Sequence, residues 1–236
     1  MATTAEIKKH QQQMDRLISE FEQELGEQLE IAFDSVAALG TGATRTQVQA
    51  IFQTVKSWAD AQGSRLESIV QGNIDMNASV LGTDINQQIL TNLAQVKEQL
   101  IAQVQTQIEQ EQNRVIQTIV LAGVAGAVSN DLISQTRGIR KGSKNRISTV
   151  FVNAVYQFDA IITRARSPQT GEQKYQYVGG IIASTRDFCA QHDGNIYTEK
   201  EIRDIWRSTW SGQEPGDPFV VRGGYNCRHT WVAVEE

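Results

Sequence analysis

The chain has 236 residues, enough to bury one core, or one core together with an elongated helical arm. Its net charge of -5 hides an uneven distribution: residues 1-131 carry 16 acids and 8 bases, net -8, and the remainder carries 11 acids and 14 bases, net +3. Two cysteines are too few for a disulfide framework, and the polar segment from Met1 to Met14 lacks the apolar core of a secretory signal, so the sequence indicates synthesis in the cytosol.

Aromatic residues, prolines and cysteines mark a boundary near residue 145. Only four of the 16 aromatic residues (7 Phe, 4 Trp and 5 Tyr) precede residue 146, whereas all three prolines and both cysteines follow it. Such a shift in composition is typical of a boundary between structural units. We therefore predict an α+β chain, with an elongated, coiled-coil-like helical arm over residues 1-145 and a small α+β module over residues 146-236.

The arm begins with apolar residues at helical spacing, which predict one long amphipathic helix that ends at Gly40. A second helical pattern starts after Thr44 or Thr46, has a weak point at Gly63 and stops at Gly72-Asn73. Its aromatic residues are expected in the core.

A third helical pattern, capped by Thr83-Asp84, is the longest and contains no proline, which favours a coiled-coil-like arm. Near its end lies the longest apolar run, Val115 to Val128, which has 14 residues. A membrane-spanning helix needs roughly 20 apolar residues, so burial of this run in the protein is the favoured interpretation.

A basic stretch follows the third pattern. Ser129 and Asp131 can start a short helix, and the glycine-containing stretch from Arg137 to Arg146 is predicted to be a loop or exposed turn. No acidic residue occurs between Leu132 and Phe158, so the local field can attract phosphate groups. Contact with DNA, a surface for an acidic partner and a solvated loop all stay open. The candidate binding residues are Arg137, Arg140, Lys141, Lys144 and Arg146.

The module mixes helical and strand patterns. Residues from Ile147 to Ala165 have helical period, and Tyr175 to Val178 alternate as a strand that enters a Gly-Gly turn. Thr198 and Glu201 have the spacing of a capping box that opens a helix. The stretch from Tyr225 to Val234 is predicted to be a terminal strand.

Four short segments of the module occur in a specific order: Lys174-Tyr-Gln-Tyr-Val-Gly-Gly180, Thr185-Arg-Asp-Phe-Cys189, Gly194-Asn-Ile-Tyr-Thr198 and Gly223-Gly-Tyr-Asn-Cys-Arg-His-Thr-Trp231. This string resembles the phage Mu F-like head morphogenesis family, in which a strand with a YVG-like turn leads to a Cys-containing element and a terminal N-C-R-C or N-C-R-H motif. The resemblance covers roughly residues 146-236. The residues that match the family motif are Tyr177, Gly179, Thr185, Arg186, Phe188, Cys189, Gly194, Tyr197, Gly224, Asn226, Cys227, Arg228 and His229.

The resemblance implies a structural minor head protein of a tailed bacteriophage, made in the host cytoplasm and located in the virion at the portal vertex. It implies binding to the portal protein, the major capsid protein or a scaffold, with several copies around the portal. The implied work is head assembly, genome retention or genome delivery. An alternative is an ejected internal virion protein that acts on DNA, or whose apolar run enters the host membrane.

Two close pairs of residues, Cys189-x-x-His192 and Cys227-x-His229, are separated by 34 residues. Two thiolates and two imidazoles suit a tetrahedral, structural zinc ion that ties the end of the chain to the earlier turn. Side chains at positions i and i+2 of a strand lie on the same face of the strand. The second pair is therefore compatible with a strand and a shared zinc ion only if the backbone bends. Buried reduced thiols beside a hydrogen-bonded histidine, and a disulfide, are the other two interpretations.

No constellation typical of an enzyme is recognisable in the sequence. It contains no Gly-rich phosphate loop, no Gly-x-Ser-x-Gly and no His-Glu-x-x-His, so we expect a protein that is not an enzyme. The remaining catalytic interpretation is a zinc-dependent hydrolase with Glu199 or Glu201 as base. Four protein ligands would close the coordination sphere of the metal and disfavour it.

Other polar and aromatic residues of the module are assigned to the fold. Arg222 and Arg228 flank the glycine turn and can pair with Asp187, Asp193 or Glu201. The three tryptophans that follow residue 200 are expected in the core: Trp206, Trp210 and Trp231.

Overall fold

The computed structural model describes residues 4-65, 67-68, 87-124, 129-166, 173-224 and 227-234. Within these ranges long helices come first, and a small three-stranded sheet with short helices follows. The predicted α+β class, with helices towards the N-terminus and a mixed C-terminal part, is therefore confirmed.

Four long helices account for most of the described residues before residue 167. They are α1, Thr4–Leu39; α2, Arg45–Ala61; α3, Gln87–Val124; and α4, Ser129–Arg166. As predicted, α1 ends before Gly40, which has a φ of 65°, a backbone conformation that favours glycine. A short 3-10 turn, Gly40–Gly42, joins α1 to α2.

Thr44 is the cap of α2, one of the two residues that the sequence offered. Its hydroxyl accepts a hydrogen bond from the Gln47 backbone N–H, and the Gln47 side chain accepts one from the Thr44 backbone N–H. α2 ends at Ala61, two residues before the predicted weak point at Gly63. The predicted stop at Gly72-Asn73 and the predicted cap at Thr83-Asp84 lie outside the described residues.

The prediction of a loop at Arg137–Arg146 is wrong, because the whole stretch lies within α4. Gly138 and Gly142 each cost a helix about 1 kcal/mol relative to alanine, which does not end a helix that packs well. Here Glu111 of α3, whose side chain is 0% exposed, accepts hydrogen bonds from Ser143 at 2.9 Å and from Arg146 Nε at 2.6 Å. This packing stabilises the helix through both glycines.

The described residues group into two compact units, which we call the mixed unit and the helical unit. The mixed unit comprises Met1–Arg16, Arg65–Lys97 and Val152–Glu236, and the helical unit comprises Leu17–Ser64 and Glu98–Phe151. The predicted boundary between residues 145 and 146 falls inside α4, and it stays a prediction.

Aromatic contacts between helices form the core of the helical unit. The Phe21 ring of α1 stacks on the Phe151 ring of α4, with centroids 3.5 Å apart, and also contacts Trp58 of α2 at 5.0 Å. Phe33 and Phe52 meet edge to face at 5.7 Å. The predicted apolar face of α1 is therefore buried here.

The mixed unit is built on an antiparallel sheet with strand order β2-β1-β3: β1, Lys174–Val178; β2, Ile196–Thr198; and β3, Thr230–Val234. In this register Tyr175 lies opposite Tyr197 on one side and Ala233 on the other. The alternation predicted for β1 is confirmed, since Tyr175 and Tyr177 are buried and their strand neighbours are half-buried. β3 begins at Thr230, later than the predicted start at Tyr225, which lies outside the described residues.

Among its described residues the mixed unit also contains three short helices: α5, Asp187–His192; α6, Glu199–Trp206; and α7, Pro218–Val221. The predicted capping box opens α6, because the Thr198 hydroxyl accepts from the Glu201 backbone N–H and the Glu201 carboxylate accepts from the Thr198 N–H. Trp231 is buried, and Trp206 and Trp210 are partly buried against the same core, as expected.

No helix among the described residues is long and apolar enough to cross a membrane. The apolar run from Val115 to Val128 belongs to α3 up to Val124, and its last four residues lie outside the described ranges. Within the run Val115 and Ile119 are buried, whereas Val120 and Leu121 are exposed.

Candidate metal centre

Three of the four predicted metal ligands converge in the mixed unit. Cys189 lies on α5, and Cys227 and His229 lie on the segment before β3. The two sulfur atoms are 3.7 Å apart, and His229 Nδ1 is 3.8 Å from the Cys227 sulfur. All three side chains are buried, and one ligand atom from each lies within 4.8 Å of the others.

Cys227 and His229 lie before β3, outside the regular alternation of strand side chains. The His229 backbone N–H donates a hydrogen bond to the Cys227 sulfur at 3.3 Å, and the strand begins only at Thr230. Because residues 227-229 precede the strand, both side chains can reach one point. The two cysteines are free thiols.

The separations fit a tetrahedral metal ion. Two thiolates bound at about 2.3 Å from one zinc ion lie about 3.8 Å apart, close to the sulfur separation of 3.7 Å between Cys189 and Cys227. The second ring nitrogen of His229 lies 3.5 Å from a carboxylate oxygen of Asp193. A metal-bound imidazole is usually oriented by a hydrogen bond from this nitrogen to a carboxylate, whereas here the nitrogen has no hydrogen-bond partner among the described residues. Cys189, Cys227 and His229 form a cluster that could hold a metal ion.

The fourth predicted ligand, His192, does not join this cluster. Its Nδ1 is 2.7 Å from the Tyr197 hydroxyl, and its ring packs on Phe188 with centroids 4.6 Å apart. Burial lowers the pKa of His192, so the neutral imidazole is favoured. The bond to Tyr197 links α5 to β2, which makes His192 a residue of the core.

The pKa values of the two thiols move in opposite directions. A hydrogen bond from the Cys189 thiol lowers the pKa of Cys227; burial opposes this, whereas His229 and the positive charge of Arg222 add to it. The same bond, together with burial, raises the pKa of Cys189. Cys227 is therefore the thiol of the pair that loses its proton first, and a metal ion bound by both sulfurs would displace the second proton.

Two residues of the quoted family segments also contact the cluster, and the sequence assigned neither of them a role there. The Tyr177 hydroxyl lies 3.5 Å from each sulfur, and its side chain is fully buried. Gly223 faces the same three atoms so closely that a Cβ would overlap both sulfurs and the hydroxyl. Neither role could be found from spacing, because the contacts join three segments far apart in sequence.

Arg222 is the largest fully buried side chain of the described residues. It has a φ of 58°, and its guanidinium lies 4.9 Å over the Tyr156 ring. Its Nε and Nη1 have no hydrogen-bond partner among the described residues. These two nitrogens therefore do not make the predicted pair with Asp187, Asp193 or Glu201. Burial lowers the pKa of Arg222, and the negative character of Cys227 opposes this effect.

Other residues of the predicted family motif join neighbouring segments of the mixed unit. Arg186 donates to the Gly223 carbonyl at 3.2 Å, and Asp193 accepts from the Gly179 backbone N–H at 3.1 Å. The Gly194 backbone N–H donates to the Tyr177 carbonyl at 2.7 Å. Asn226 lies outside the described residues. The other motif residues lie in neighbouring segments: Thr185 in the loop before α5, Phe188 in α5, Tyr197 in β2, and Gly224 and Arg228 in the segment between α7 and β3.

The basic candidates all lie on α4, but their environments differ. Arg137 and Lys141 are exposed. Arg140 lies 3.5 Å from Glu30, and Arg146 binds the buried Glu111. Lys144 is half-buried and close enough to Gly26 that a Cβ there would lie 3.1 Å from its ammonium nitrogen. The five basic residues are close in sequence, yet some of them connect helices and others face solvent.

The fold and the cluster together define an α+β protein with a buried thiol and imidazole site. No protein-family model matches the chain, and no solved structure matches it. Over 165 residues, 70% of its length, the chain is 25% identical to an uncharacterized protein of Haemophilus influenzae. It spans about a third of that protein, 33% of its length.

Proposed function

We propose that this chain is a structural minor head protein of a tailed bacteriophage, which binds at the portal or the capsid in head assembly, genome retention or genome delivery. The observation that carries the proposal is the ordered set of motif segments that resembles the Mu F-like family. Further support comes from the mixed unit, where residues from these segments surround one cluster of Cys189, Cys227 and His229. A buried cluster between segments suits a role in holding a module together.

One argument against the alternative of a zinc-dependent hydrolase no longer holds, and a second argument against it takes its place. With three candidate ligands instead of four among the described residues, the coordination sphere of a metal is not closed by them. Both candidate bases, however, have structural partners: Glu199 accepts from Arg203 at 2.9 Å, and Glu201 is the acidic member of the α6 capping box. These bonds favour a binding protein over a hydrolase.

Zinc is the ion that we propose for the cluster, because thiolate and imidazole ligands suit it. Cys189, Cys227 and His229 would hold it, and it would crosslink α5 to the segment before β3. Protein prepared without added metal should contain about one zinc per chain. Cys227→Ser should lose the zinc, whereas His192→Ala should keep it. Zinc-free wild-type protein of normal stability would refute this assignment.

The proposed partners are the portal protein, the major capsid protein or a scaffold, with several copies of the chain around the portal. DNA is a further proposed partner through Arg137 and Lys141, the exposed members of the basic set. Their joint replacement by Gln should weaken DNA binding and flatten its salt dependence. An unchanged affinity in filter-binding assays at two salt concentrations would assign this surface to a protein partner.

The location in the virion can be tested on particles from a host that carries the gene. Purified DNA-filled heads should contain the chain, as measured by mass spectrometry after a density gradient and a high-salt wash. Particles from a strain with the gene deleted serve as the control. Complete, infectious particles that lack the chain would contradict the proposal.

A further inference from the structure

The cluster of Cys189, Cys227 and His229 leaves one position of a tetrahedral ion without a charged or imidazole ligand from the described residues. Zinc sites with four protein ligands are closed, whereas sites with three keep a position for an outside ligand. Tyr177 is the neighbour that could compete for this position, since its hydroxyl lies 3.5 Å from each sulfur. A phenol with its proton in place is a hydrogen-bond donor to a thiolate, and this is the role that we assign to it.

A cleft reaches the cluster from the protein surface. Its volume is about 350 Å³, and its lining includes all three ligand residues, Cys189, Cys227 and His229. Tyr177 is fully buried and does not line the cleft. An outside molecule in the cleft can therefore approach the ligand atoms.

The charges around the cleft favour an anion. A zinc ion bound by two thiolates and a neutral imidazole has no net charge, because the two negative ligands balance the ion. Arg186 and Arg228 line the cleft, and Asp15 is the acidic residue in its lining. Arg222 adds a buried positive charge close to Cys227. Asp193, with a carboxylate oxygen 3.5 Å from His229 Nε2, is a second negative group near the cluster. Three positive groups, on Arg186, Arg222 and Arg228, thus lie around the cluster and its cleft against two negative groups, on Asp15 and Asp193.

We infer that the metal centre takes an oxyanion, a carboxylate or a phosphate group, as its fourth ligand from this cleft. Arg228, which is exposed at the cleft, binds the oxyanion by a charge-assisted hydrogen bond. Such a group is carried by an acidic side chain of a partner protein and by a phosphorylated molecule. This inference rests on the proposed metal site, and it gives that site a ligand-binding role in addition to a structural one.

Cobalt(II) in place of zinc gives a visible absorption spectrum that reports the ligands of the metal. The full-length chain loaded with cobalt should be titrated with acetate and, separately, with inorganic phosphate. We expect saturable changes in the cobalt bands with at least one of the two anions. A response to acetate identifies carboxylates, and a response to phosphate identifies phosphoryl groups. A spectrum that both anions leave unchanged would overturn the inference.

Two variants connect the response to the cleft. Arg228→Gln should bind cobalt normally and bind the anion about tenfold more weakly. Arg207→Gln, which removes an 80% exposed arginine just after α6 and outside the cleft lining, is the matched control and should behave like the wild type. Equal anion affinities in the two variants would contradict the role of the cleft.

Tyr177→Phe tests the competing ligand. If Tyr177 is only a donor to sulfur, the variant should retain a four-coordinate cobalt spectrum and its response to anions. An anion response that appears in the variant and not in the wild type would show that the phenol fills the position, and would overturn the inference. Failure of the wild-type chain to bind cobalt or zinc at all would instead refute the metal site itself.

Discussion

At the scale of single residues, the candidate metal centre depends on a residue without a side chain as well as on the residues that could bind the metal. Gly223 faces Cys189, Cys227 and the Tyr177 hydroxyl without a side chain between them. Its φ is not in the left-handed region, so alanine could adopt its backbone conformation. Its special property is therefore the space that it leaves beside the two sulfurs.

Gly223→Ala should disrupt the metal site without removing a ligand. The added methyl group would overlap both sulfurs, so the thiols must move apart and the zinc affinity should fall at least about tenfold. The overlap should also lower the free energy of unfolding by about 1-3 kcal/mol. Competition with a chromogenic chelator measures the affinity.

The control for this variant is Gly138→Ala, on the exposed face of α4, where a Cβ meets nothing within 4 Å. It should bind zinc like the wild type and be slightly more stable, because alanine is the better helix former. If Gly223→Ala binds zinc as tightly as this control, the proposed geometry of the centre is incorrect.

At the scale of the elements, buried polar pairs join helices that are distant in sequence. His10 of α1 lies 2.7 Å from Asp159 of α4, and both side chains are almost completely buried in the mixed unit. The Thr230 hydroxyl of β3 lies 3.5 Å from the other oxygen of Asp159. The start of α1, the end of α4 and the last strand therefore meet at one carboxylate.

The pair of His10 and Asp159 should make stability depend on pH. Burial lowers the pKa of His10, but the charge and hydrogen bond of Asp159 outweigh it and raise the pKa above 6.5. Its contribution is therefore complete below the unfolded pKa and is lost as the pH rises through the folded pKa. His10→Ala should cost about 3 kcal/mol at pH 6 and less at pH 9. Urea unfolding at both pH values measures the difference.

Lys9→Ala is the matched control, because Lys9 is the exposed neighbour of His10 on the same helix. It should change the free energy of unfolding by less than about 0.5 kcal/mol at either pH. A cost of His10→Ala that is the same at pH 6 and pH 9 would show that the histidine is not protonated in the folded state.

At the scale of the whole molecule, the metal should affect the two units differently. The cluster lies in the mixed unit, which also contains Trp206, Trp210 and Trp231, whereas Trp58 belongs to the helical unit. Thiolate and imidazole ligands converge only in the folded chain, so metal binding is coupled to the folding of the unit that contains them.

Removal of zinc by a chelator should loosen the mixed unit and leave most of the helical signal. We expect loss of near-ultraviolet circular dichroism from the tryptophans and loss of hydrogen-exchange protection in β1, with little change in far-ultraviolet circular dichroism. Backbone amides in the middle of α3 should keep their protection. Equal loss of protection in β1 and α3 would contradict a local role for the metal, and readdition of zinc should restore the β1 signal.

The local elements could be predicted from the sequence because their signals are local. Gly40 after α1, Thr44 before α2 and the pair of Thr198 and Glu201 before α6 act within one turn of the chain. The alternation of Tyr175 and Tyr177 likewise needs only the two faces of a strand. Neither kind of signal depends on where the rest of the chain lies.

Tertiary structure decided the features that depend on distant partners. Glycines in the basic stretch indicated a loop, but packing against Glu111 of α3 keeps it helical. The spacing of cysteines and histidines predicted four metal ligands, of which three lie together in a cluster that could hold a metal ion, whereas His192 contacts Tyr197 instead. The roles of Tyr177 and Gly223 could not be predicted for the same reason: sequence carries residue types and spacing, whereas a metal centre requires atoms from separate segments to meet within a few ångströms.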